Sequence, residues 1–139
     1  MPATPHDADL ILKLYDLRRE PVMRQARDDV FSKFHPKTYD EVAAVLKHEH
    51  PLNTAYRMVS SYWDMAAGFV KHGALSADLF AENCGEGLFL YAKVLPHLDR
   101  LRQEYSATAY VNLEWLVGRH PEAKRRVELV QARLAKMAR

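Results

Sequence analysis

Residues 51–73, PLNTAYRMVSSYWDMAAGFVKHG, decide the fold class. On a helical wheel Arg57, Ser60, Ser61, Asp64, Gly68, Lys71 and His72 share an arc of roughly 120°, while Met58, Val59, Tyr62, Trp63, Met65, Ala66, Ala67, Phe69 and Val70 fill about 200°. A surface helix needs an apolar stripe only about half that wide. This segment therefore predicts a central helix with neighbours on two or three sides, in an all-α bundle.

The flanking sequence supplies the neighbours. Residues 1–7 are expected to form a short flexible lead, and 8–138 a single helical domain. Asp9 is a candidate cap for Leu10–Arg19, where Leu10, Leu14 and Leu17 recur at helical spacing. Pro21 suits the first turn of a second helix through Val22, Ala26, Val30 and Phe34, ending before Pro36, with Arg24, Arg27, Asp28 and Lys33 toward water. Thr38 and Glu41 have capping-box spacing before a third, short helix.

The central helix is expected near 52–72, with Gly73 in the left-handed conformation that closes a helix. Ser76 then caps a short helix closed by Gly85. From Glu86 to Tyr105 a long amphipathic segment follows, kinked at Pro96, with Glu86, Lys93, His97, Arg100 and Glu104 on its polar face. Ser106 or Thr108 opens a helix through Trp115, and Pro121 starts the last one. In that helix Ala123, Val127, Val130, Leu134 and Met137 make a narrow seam. No stretch alternates with a period of two, so the expectation is about seven helices with short connections.

Composition agrees with this. The 139 residues are 48% hydrophobic and 27% charged, the balance of a globular domain large enough to fold without disulfide or metal. Cys84 is the only cysteine, which suits a reducing compartment. The N-terminus lacks the basic lead and small-residue cleavage site of a signal peptide, and no run of about 18 apolar residues occurs. A cytoplasmic protein without a membrane span is expected. The net charge of +2 conceals an asymmetry, because Arg119–Arg139 holds seven basic residues against Glu122 and Glu128.

Three stretches in this order, VKHGALSADLF, GLFLYAKVLPHLDRLR and AYVNLEWLVGRHP, resemble a bacterial family of small all-helical domains of unknown function. Gly73, Asp78 and Leu79 match its turn, and Asn112, Glu114, Trp115 and Leu116 its terminal motif. Ser60 or Ser61 stands where the family usually has Asn, and Leu113 where it has Phe. Many members follow an N-terminal membrane helix, which is not seen in this sequence. The resemblance implies the fold and carries no activity.

The residues offer few sites. His48-Glu49-His50 is the densest group of metal-ligand types, but its imidazoles are two apart where a helical zinc pair needs four. No metal or cofactor is expected. Cys84, at a helix end, reads as a buried filler. Asp64, Glu82, Glu86 and Glu114 are possible acid–base groups, with Glu114 expected to anchor to Arg57, Arg100 or a helix N-terminus. A helix-turn-helix over Ser76–Val94 would present Leu88, Phe89, Leu90 and Tyr91, which cannot read bases.

Arg125, Arg126, Arg133 and Lys136 line the outer face of the last helix, with Leu129 among them, and Phe89 sits on the polar side of its own helix. These features point first to a non-enzymatic helical interaction module, expected to self-associate or to bind another protein near Phe89, Leu129, Arg125, Arg133 and Lys136. The alternatives are weak, sequence-independent binding of nucleic acid or another anionic surface by the basic helix, and a small-ligand binder or enzyme with an interhelical pocket.

Overall fold

The computed structural model describes residues 2–137, so Met1 of the expected lead and residue 138 of the expected domain lie outside the described residues. Nine α-helices and one 3-10 turn make up this all-α bundle among the described residues. They are α1 (Pro5–Arg18), α2 (Pro21–Lys33), α3 (Tyr39–Val45), α4 (Asn53–Lys71), α5 (Ala77–Asn83), α6 (Gly85–Val94), the 3-10 turn (Leu95–His97), α7 (Leu98–Glu104), α8 (Val111–Arg119) and α9 (Pro121–Met137). No helix among them is long and apolar enough to cross a membrane.

The central helix is α4. It packs most extensively on α2 and α8 and also touches α5 and α6, while α9 closes over α6 and α8. Its wide apolar arc is thereby covered, with Met65 the exception at 45% exposed. Trp63 has no exposed surface and stands edge-on to Phe80 and Tyr62. The α6 backbone comes so close at Gly87 that a Cβ there would lie 3.1 Å from Trp63. Trp63 is fixed in the core and cannot yield freely, so Gly87→Ala is expected to destabilise the fold by about 1–3 kcal/mol in a denaturant titration. An unchanged midpoint would show that α6 shifts at no cost.

The turn motif and the terminal motif are structural. Gly73 has φ +79, and Ser76 Oγ accepts from the Leu79 N–H to cap α5. Asp64 of α4 caps α8 from across the bundle, its Oδ1 accepting from the Leu113 N–H at 2.9 Å. Asn112 Nδ2 donates to the Asp64 backbone carbonyl at 3.2 Å and lies 3.0 Å from where a Gly68 Cβ would stand. Gly68 and Asp64, both on the polar arc of the wheel, are thus the seat of α8. Asp64→Ala is expected to cost about 1–2 kcal/mol, the value of a lost helix cap, read as a lowered unfolding midpoint.

Several boundaries differ from the sequence reading. The first helix begins at Pro5, because Thr4 and Asp7 form a reciprocal capping box; Asp9 caps nothing and residues 5–7 are helical. Glu20 caps α2 by accepting from the Val22 and Met23 N–H groups, which turns Met23 inward and leaves Val22 61% exposed. Arg27 does not simply face water: it clamps Glu86 of α6 at 2.8 and 2.5 Å. Gly85 opens α6 rather than closing α5. Pro96 does more than kink its helix, since the 3-10 turn divides it in two. Tyr110, with φ 59, delays α8 to Val111, past Ser106 and Thr108.

Candidate functional site in a cleft above Lys93

Helix α6 is apolar on almost every side. Residues 87, 88, 90, 91, 92, 93 and 94 are all buried in it, and one of them is a lysine. Lys93 is 4% exposed, so the expected polar face of this segment is wrong at that position. Its ammonium donates to the Phe34 carbonyl at 2.8 Å and lies 4.8 Å from the centre of the Phe89 ring. His35 Nδ1 is 3.2 Å away. His35 Nε2 faces the Ser32 carbonyl at 3.0 Å, which fixes its proton there and leaves Nδ1 as the acceptor toward Lys93.

No carboxylate pairs with Lys93 among the described residues. Burial alone acts on it, and pushes its pKa down to about 8. The reason for its burial is geometric: the extended Phe34 that ends α2 lays its carbonyl over α6, and α9 covers the far side.

A cleft of about 590 Å³ is lined in part by Lys93. His35, Pro36 and Lys37 form one rim, Ala92, Lys93, Pro96 and His97 the floor, and Gln131, Leu134, Ala135 and Met137 of α9 the opposite wall. The walls are mainly apolar, every ionisable lining residue is a lysine or histidine, and the volume suits a small molecule.

Residues 3–120 match the family described as Domain of unknown function (DUF4760). The chain belongs to that family. No curated protein and no solved structure gives a match. The DUF4760 stretch contains Lys93, His35 and His97, whereas α9, which walls the cleft, follows it.

The residues singled out from the sequence are dispersed. His48 is exposed, and His50 Nδ1 accepts from the Leu52 N–H at 3.0 Å ahead of α4. No group of three or more His, Cys, Asp or Glu residues close enough to hold a metal occurs among the described residues. Cys84 is buried at the junction of α5 and α6, and desolvation pushes its thiol up to about 12, so burial rather than a helix terminus governs it. Glu114 pairs with Arg102 at 2.8 Å, not with Arg57 or Arg100.

Phe89 packs against Phe31 at 6.0 Å between ring centres and against Lys93, which covers part of it within the chain. Leu129 is 52% exposed on α9. Arg125 is held by Glu122 at 2.6 Å, while Arg133 and Lys136 are exposed. Lys93 itself was not singled out. The available signal was its setting, GLFLYAKVLP, where one charge stands in a run too apolar to offer it a solvated face.

Proposed function

We propose that this DUF4760 domain is a non-enzymatic binding module that takes a small amphipathic anion, such as a medium-chain carboxylate, into the cleft. The observation that carries this reading is Lys93, buried, paired with no carboxylate among the described residues, and part of the floor of an apolar cleft. A buried cation without a counter-ion is costly, and an anion that seats beside it relieves that cost. Lys37 adds positive charge at the rim, and Leu134, Ala135 and Met137 offer surface to an aliphatic body.

The test uses octanoate and 1-octanol, which share a chain and differ in charge. Octanoate is expected to bind at least about tenfold more tightly, a difference of about 1.4 kcal/mol. That advantage should vanish in Lys93→Met. Equal affinities for the two probes in the native protein, or no chemical-shift change with octanoate at millimolar concentration, would refute the anion site.

A second reading keeps an interaction role for the outer face of α9. It is favoured by Leu129, half exposed between Arg125, Arg133 and Lys136. Self-association through this face predicts a native mass that doubles with concentration and returns to the monomer in Leu129→Glu. A monomer at all concentrations would remove it. An anionic polymer on the same face would instead bind with steep salt dependence.

A further inference from the structure

We propose that Lys93 is a reactive amine that captures small apolar aldehydes or ketones as imines within the cleft. The inference rests on the reading of the cleft as a small-molecule site and adds a covalent chemistry to it. Three geometric facts support it. Lys93 lines the cleft, and no carboxylate locks its amine as an ion pair among the described residues. Two of its N–H groups have fixed acceptors, the Phe34 carbonyl and His35 Nδ1. A neutral amine therefore keeps both hydrogen bonds and still has its lone pair free.

The step balances without any further reactant. The nitrogen lone pair attacks the carbonyl carbon, and the C=O π pair moves to oxygen, which takes a proton to give a carbinolamine. The nitrogen then expels the hydroxyl, which leaves with a proton as water, and loses its own remaining proton to give the neutral imine. His35 Nδ1, 3.2 Å from the amine, is placed to receive the proton that the nitrogen sheds. His97 lines the same floor. Apolar walls offer surface to the aldehyde body.

The neutral amine needed for attack is accessible near neutral pH because burial lowers the affinity of Lys93 for its proton. The ionisable groups lining the cleft around it are His35 and Lys37 beyond α2 and His97 of the 3-10 turn. Phe31 of α2 and Phe89 of α6 present rings, and α9 presents Gln131, Leu134, Ala135 and Met137. None of these is an anion that would restore the charge, so capture should rise with pH through about 8.

The experiment treats the full chain with octanal and sodium cyanoborohydride, then reads intact mass and maps the modified peptide. The chain has eight lysines, which makes the site of labelling decisive. One octyl group, on Lys93, formed at least about tenfold faster than on any other lysine and absent from Lys93→Arg, supports the inference. Labelling spread over the surface lysines with no preference for Lys93 overturns it. Lys93→Met with a native circular-dichroism spectrum checks that loss of labelling is not loss of fold. If octanoate binds and octanal does not label Lys93, the amine chemistry fails and the anion site stands. If octanal labels Lys93 selectively and octanoate does not bind, the amine chemistry stands and the anion site fails.

Discussion

Trp63→Ala is expected to remove about 3–5 kcal/mol of stability, the range for deleting a large aromatic side chain from a packed core. Trp63 is wholly buried at the meeting of α4, α5 and α6, with Phe80 6.4 Å and Tyr62 4.9 Å from it between ring centres. The Arg18 guanidinium lies 5.2 Å from the indole, and Arg18 and Arg27 share Glu86 above it. The cavity left by alanine cannot close by a simple inward shift, because Gly87 already brings α6 into contact with the indole. A domain of this size has a total stability of about 5–15 kcal/mol, so the variant should be close to unfolding at physiological temperature. A fall of less than about 3 °C in melting temperature would show that α4 is not the centre of the core.

Lys93→Met should alter the pH dependence of stability more than its value at neutral pH. The methionine stem fills the same space but leaves the Phe34 carbonyl without its donor, which offsets the gain from removing a buried charge. The folded pKa of about 8 lies below the 10.5 of an unperturbed lysine. Between these values the unfolded chain holds more protons than the folded one, so the native protein gains stability as pH rises through this window. At about 1.4 kcal/mol per pKa unit, that gain is about 3 kcal/mol. Denaturant titrations at pH 7, 9 and 10.5 should show it in the native protein relative to Lys93→Met. Parallel profiles for the two proteins would mean that Lys93 is solvated in the folded state.

The bundle was readable in the sequence wherever local chemistry determined the outcome. The wide apolar arc of α4, the Thr38 and Ser76 caps and the left-handed Gly73 follow from residue type and spacing, and the structure places them accordingly. What escaped were contacts between residues distant along the chain. Asp64 looked solvated because the α8 N–H it serves is 49 residues away. Lys93 looked like a polar-face residue because its acceptor, the Phe34 carbonyl, is 59 residues away. A helical wheel ranks side chains by polarity, and polarity does not reveal that another segment brings a hydrogen-bond partner. The cleft was illegible for the same reason, since its walls come from the segment after α2, from α6 and from α9.

The ionisation of Lys93 in the folded protein tests the central claim most directly. Its side-chain Cε resonance, assigned by comparison with Lys93→Arg, can be followed by NMR from pH 6 to pH 11. A midpoint near 8, set apart from the seven other lysines, is the predicted result. A midpoint near 10.5 would place the amine in water and contradict the buried site on which both the anion cleft and the amine chemistry rest.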